Sequence, residues 1–146
     1  MQHRQKALLL VTFQFLFIFL IIKGTNYRLL SGFSFALLLI AIALLAWAIA
    51  SMSKSKLRVS PLPHANAQLV TSGPYRFTRH PMYTSVLLGT AALVTAPFSW
   101  LRLLLFFLLA AVLVIKLHFE ESQLVKKFQG YPEYMKKSKR IIPFIY

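Results

Sequence analysis

Between Leu29 and Met52 the chain runs for twenty-four residues without a charge. Wound as a helix at 1.5 Å per residue, such a run covers about 36 Å, more than the ~30 Å hydrocarbon core of a bilayer. An apolar helix of that length, greasy on every face, needs apolar surroundings on every face. A second run, Ala7 to Ile22, is bracketed by Lys6 and Lys23. It covers only about 24 Å, and lysines at its two ends can reach the headgroups along their methylene stems. A third, Met82 to Ile115, carries Arg102 as its only charge, and Pro97-Phe98-Ser99 divides it into a helical hairpin. Hydrophobic residues make up 58% of the chain and charged ones 14%, which excludes both an ordinary soluble domain and a disordered one. The expected fold is all-α: one polytopic membrane domain over residues 1–146. Its four transmembrane helices lie near 7–22, 29–52, 82–96 and 98–117, with a loop at 53–81 and a basic tail at 118–146.

The charges orient this arrangement. Lys and Arg number 17 against 3 Asp plus Glu, a net charge of +14. Fourteen of those cations, counting Lys116 at the end of the last span, fall on the side shared by the N-terminus, the 53–81 loop and the tail. Only Lys23, Arg28 and Arg102 fall on the other. Positive charge collects on the cytoplasmic side of a membrane protein, so both termini are expected there, in a multi-pass protein of a prokaryotic inner membrane. The basic start and first apolar run have the outline of a signal peptide but lack a small-residue cleavage site, so a retained anchor is expected. Cations beside apolar spans suit a bilayer, and no nucleic-acid partner is expected. With no cysteine, disulfides and thiolate chemistry are excluded. His3 and His64 lack partners at ligand spacing, so no metal is expected.

Two clusters remain that can carry chemistry. Glu120 and Glu121 are two of the three acids and lie just past the last apolar run. They either pair with Lys116, Lys126 and Lys127 on a helix surface or form an anionic pocket. Lys116 lies one turn before Glu120, which gives either a simple salt bridge or a cation and an anion aimed into one cavity. The second cluster runs from Gly73-Pro74-Tyr75 through Arg79-His80-Pro81-Met82-Tyr83. Gly73-Pro74 makes a turn, and Pro81 suits the first position of the next helix. Its start, beside Arg79 and His80, suits a carboxylate or phosphate, while Tyr75 and Tyr83 offer ring faces to a base or a cation. The competing role is interfacial anchoring of Arg and Tyr at the headgroups. Arg102, near the opposite face, is expected to snorkel.

Together these segments resemble the isoprenylcysteine carboxyl methyltransferases and their phospholipid methyltransferase relatives. The likeness covers about residues 66–146. It rests on Leu69 to Tyr75, Arg79-His80-Pro81-Met82-Tyr83, the Glu120-Glu121 pair, Leu124, Phe128, Tyr131, Tyr134 and Arg140-Ile141-Ile142-Pro143. It implies an integral-membrane enzyme transferring a methyl group from S-adenosylmethionine, with S-adenosylhomocysteine as product. The cofactor pocket would lie on the cytoplasmic side, between the 66–83 loop and the C-terminal helix. Carried over position by position, Gln68, Leu69, Val70, Tyr75, His80, Pro81, Met82, Tyr83, Glu120 and Glu121 become cofactor contacts, and Lys116 and Arg79 serve catalysis. The implied acceptor is a lipophilic or lipidated molecule reached from the bilayer, such as a prenylcysteine-type carboxylate. The prenylcysteine enzymes place an arginine where this chain has Lys116, which keeps the charge but loses the two-pronged grip. Membrane sterol reductases, which bind NADPH, look similar over the last eighty residues, but two adjacent acids would repel that cofactor's 2′-phosphate. A non-catalytic basic membrane protein is the third alternative.

Overall fold

In the computed structural model, residues 2–53 and 69–141 are described, with side chains from Gln5 onward. Five α-helices follow in order: α1 (Gln2–Lys23), α2 (Gly32–Ser53), α3 (Pro81–Val94), α4 (Trp100–Lys127) and α5 (Tyr131–Lys137). Short 3-10 turns occupy Tyr27–Leu29 and Gly73–Arg76. No strand forms among the described residues, and the architecture is the all-helical one expected. By length and composition α1, α2 and α4 are long and apolar enough to cross a membrane, and α3 is a shorter apolar helix. At fourteen residues, α3 reaches about 21 Å.

The packing is inside out relative to a soluble protein. Phe15, Phe19, Phe33, Trp100 and Leu101 all stand more than half exposed, as befits side chains that meet lipid rather than water. Between helices the contacts use small residues. A β-carbon placed on Gly89 of α3 would sit 3.5 Å from the Ala41 methyl of α2, so the two backbones approach closely. The centre is held by Ile21, Leu93, Leu109, Leu113 and Leu117.

One stripe of α4 changes character along its length. Leu109 and Leu113 are fully buried, and the same face then continues as Lys116, Leu117, Glu120 and Glu121. The helix does not stop at 117. It continues as a helix through Lys127, since Glu, Ser, Gln and Lys carry it on and the first break is Phe128-Gln129-Gly130. This extension carries the acid pair beyond the apolar stretch without a turn.

Arg102 corrects an expectation. Rather than snorkelling outward it is 5% exposed, and its guanidinium donates to the carbonyls of Gly24 (2.5 Å), Leu93 (2.8 Å), Val94 (2.7 Å), Ala96 (3.1 Å) and Pro97. A short helix ends with unpaired carbonyls, and in an apolar setting each costs free energy until a donor arrives. Arg102 supplies those donors and joins the α1–α2 turn to the α3–α4 turn, where Asn26 N–H also donates to Ala96 O at 2.8 Å.

Candidate functional site

The opposite end of the bundle is assembled by the chain folding back on itself. Gly73 has φ +63, and a β-carbon there would lie 2.3 Å from Ser51 Oγ at the end of α2. Glycine is required by both the left-handed backbone and the close approach. The turn that follows buries Tyr75 with Val70 and Ala48, and Met82 packs against them. After α5, the tail runs parallel to residues 77–80. Lys139 N–H donates to Phe77 O (3.2 Å), Arg79 N–H to Lys139 O (2.7 Å), and His80 N–H to Arg140 O (3.0 Å). Thr84 Oγ1 closes the seam on Ile141 O at 2.6 Å.

Behind that seam the two adjacent glutamates face different partners, because successive helical residues point about 100° apart. Glu121, 5% exposed, accepts from Arg79 Nε at 2.6 Å and from Arg140 Nε at 3.2 Å, with His80 Nε2 at 3.5 Å. Arg79 also donates to the carbonyls of Met135 (3.1 Å) and Ser138. This guanidinium therefore ties α4 to the tail. Glu120 has no guanidinium against it among the described residues. It accepts a 2.6 Å hydrogen bond from Tyr83 Oη, and His80 Nδ1 lies 3.8 Å away. The Tyr83 ring stacks on His80, centroids 5.2 Å apart, and the Lys116 ammonium lies 5.0 Å from the Tyr83 ring centroid.

Lys116 is buried and 4.0 Å from Glu120, so the expected one-turn spacing does bring the two together. Its hydrogen bond goes elsewhere, to Gln14 Oε1 on α1 at 2.8 Å. Gln14 was not singled out by sequence reasoning. The signal was an amide at the middle of a run whose other polar residue, Thr12, bonds back to Leu8 O, since a polar group there is costly unless paired.

The structure thus gathers Arg79, His80, Tyr83, Lys116, Glu120 and Glu121 in one cluster, with Val70, Tyr75 and Met82 in an adjoining one. Pro81 is buried at the first turn of α3 and Leu69 is half-buried beside Val70. Gln68 lies outside the described residues, as do His64 and Ile142-Pro143. Tyr134 and Tyr131 complete the wall. Tyr134 Oη donates to Tyr75 O at 2.5 Å. Burial pushes the Tyr134 and Tyr75 phenols up to about 12, so both remain protonated donors at neutral pH. Tyr131 is 1% exposed, and its hydroxyl has no hydrogen-bond partner among the described residues. His80 Nε2 is likewise buried without a hydrogen bond.

A bundle of apolar helices with a buried acid–base cluster at one end defines an integral-membrane protein with a polar site at the edge of its spans. The chain belongs to the phospholipid methyltransferase family, which it matches over residues 27–130. Membership assigns membrane methyl transfer as its activity. No curated protein matches the chain.

Proposed function

We propose that the chain transfers a methyl group from S-adenosylmethionine to a lipophilic acceptor reached from within the bilayer, a prenylcysteine-type carboxylate. The observation that carries the cofactor half is the division of labour between the two acids. Glu121 is consumed by guanidinium groups, while Glu120 takes its one hydrogen bond from a phenol, has Lys116 and His80 no nearer than 4.0 and 3.8 Å, and leaves 17% of its side chain exposed. An open, ordered carboxylate suits the cofactor's ammonium or its ribose hydroxyls. The buried Tyr131 hydroxyl is a polar atom a polar ligand would satisfy, whereas His80 Nε2 faces Glu121 at 3.5 Å. When bound, the cofactor supplies an electrophilic methyl on a sulfonium.

The chain's residues do the positioning. Tyr83 fixes Glu120, and Arg79, bound to Glu121 and two tail carbonyls, holds the tail against α3 and α4. Lys116 faces the acceptor side. Such a displacement needs orientation and exclusion of water rather than a metal or a nucleophilic side chain.

Calorimetric titration of the full chain in detergent tests the reading. S-adenosylhomocysteine is expected to bind and NADPH not to. Binding of NADPH alone would favour a reductase, and binding of neither a non-catalytic protein. Glu120→Gln is expected to weaken S-adenosylhomocysteine binding by roughly ten- to a hundredfold, the worth of about 1.5–3 kcal/mol for a charge-assisted contact. Glu133→Gln, exposed and paired among the described residues only with Lys136, should leave it unchanged. Equal small effects would remove Glu120 from the site.

The site faces the cytoplasm in this proposal, on the side where fourteen of the cations collect. Topology reporters fused after Asn26 and after Tyr146 should then report opposite sides. The same side for both would overturn the four-span arrangement.

A further inference from the structure

Lys116 and Gln14 are the two polar side chains buried where α1 meets α4 inside the apolar bundle, each 8% exposed. They meet through one hydrogen bond, Lys116 Nζ to Gln14 Oε1 at 2.8 Å. That bond leaves donors over. An ammonium carries three N–H groups and a glutamine amide two. Among the described residues the Gln14 amide nitrogen makes no hydrogen bond, and Lys116 makes no other. Glu120 stands 4.0 Å from Lys116 Nζ, beyond hydrogen-bond reach, and takes its short bond from Tyr83 instead. The unpaired amide nitrogen thus belongs to the residue that holds the ammonium, whose counter-charge, Glu120, stands 4.0 Å away and which lies 5.0 Å from the Tyr83 ring centroid.

A route for a chain opens further along α1, between α1, α2 and α3. One turn along α1 from Gln14, on the same face, Ile18 begins an apolar cavity of about 180 Å³ lined with Ile22, Leu38, Val86, Gly89 and Leu93. Ser85 and Thr90 border it too, but their hydroxyls are spent on the carbonyls of Met82 and Val86, so the cavity offers hydrocarbon contact only.

We infer that Gln14 and Lys116 form a composite two-donor site for the oxyanion of the lipophilic acceptor, with Gln14 as a specificity-determining residue contributed by α1. The amide supplies a second N–H beside the ammonium, and two convergent donors match the two oxygens of a carboxylate or of a phosphate. Both residues are needed. Lysine supplies the charge, and Gln14 supplies the second donor and holds the ammonium away from Glu120. Gln14 lies on α1, outside residues 27–130, the part matched to the family. The inference rests on the proposed lipophilic acceptor but not on the identity of the methyl donor.

Binding of radiolabelled oleate and of oleoyl lysophosphatidate to the full chain in detergent, with oleyl alcohol as the uncharged control, tests it. At least one oxyanion is expected to bind about tenfold or more tightly than the alcohol. A preference for oleate assigns a carboxylate acceptor, and a preference for lysophosphatidate a phosphate-bearing one. Gln14→Leu should reduce the oxyanion preference about tenfold, and Gln14→Glu, which sets a second carboxylate beside the ammonium in addition to Glu120, should abolish it. S-adenosylhomocysteine binding in the same samples reports that the site end remains folded. If that binding is absent from the wild type, the cofactor half fails while the oxyanion test stands. Oleate and lysophosphatidate bound no better than the alcohol, or bound equally by wild type and Gln14→Leu, would overturn the inference.

Discussion

Glu121→Gln is expected to loosen the whole charged end of the molecule, lowering stability by about 3–5 kcal/mol. A buried ion pair contributes little beyond its apolar equivalent, but removing one partner strands the other charge in a poor dielectric, and that penalty is large. Here one carboxylate serves two guanidiniums, with Arg79 at 2.6 Å and Arg140 at 3.2 Å. The amide keeps a single carbonyl oxygen and no charge. Arg79, 7% exposed at its side chain, would be left buried with only the carbonyls of Met135 and Ser138. The tail then loses its anchor, so proteolysis after Lys136 or Lys137 should accelerate in step with the fall in unfolding midpoint. Glu133→Gln provides the comparison. Its pair with Lys136 is also short, at 2.8 Å, but both side chains are about 70% exposed, and solvent screening leaves such a pair about 0–1 kcal/mol. Equal losses from the two substitutions would mean that the seam, not Glu121, carries the tail.

The same contrast shows what a sequence can disclose. The uncharged run from Leu29 to Met52 becomes α2 from Gly32 to Ser53, because nothing but a helix satisfies so many backbone groups in an apolar setting. The Gly-Pro-Tyr turn and the helix starting at Pro81 were legible for a similar reason: proline fixes its own φ, and glycine most readily adopts the left-handed conformation seen at residue 73. Long-range partners were not legible. The spacing of Lys116 and Glu120 suggested a local pair, and they do lie 4.0 Å apart. What sets the lysine's direction is an amide 102 positions earlier, brought near only when α1 packs on α4. Adjacent glutamates are indistinguishable as a dipeptide and become different once the tail returns to claim one of them. Arg102 was misjudged because its use depends on how short α3 is and where that helix leaves its last carbonyls, neither of which the charge pattern records.

Lys116→Met is expected to cut turnover by about a hundredfold or more if the acceptor is a carboxylate, while S-adenosylhomocysteine binds nearly as before. The loss reflects a buried cation removed from its anionic partner, a change that typically costs about 2–5 kcal/mol or more. The cofactor's affinity should survive because Glu120 keeps its hydrogen bond from Tyr83 and Glu121 keeps its guanidiniums. Lys116→Arg should preserve or raise activity, since a guanidinium restores two parallel donors from one side chain and makes the Gln14 amide partly redundant. An amine acceptor inverts the outcome. A protonated lipid amine is repelled by a neighbouring ammonium, and Lys116→Met would then be tolerated or beneficial. One substitution, assayed with a farnesylated cysteine analogue and with a phosphate-free lipid amine such as oleylamine in separate arms, therefore distinguishes two acceptor classes that share a fold and a cofactor. The charge argues for the carboxylate. A bundle of this size keeps an ammonium buried among apolar helices only at a cost, which Gln14 Oε1 at 2.8 Å and Glu120 at 4.0 Å offset in part, and an anionic acceptor would offset the rest. A fully active Lys116→Met enzyme would sink the carboxylate assignment and the composite donor site together, and leave the Glu120 half of the site standing.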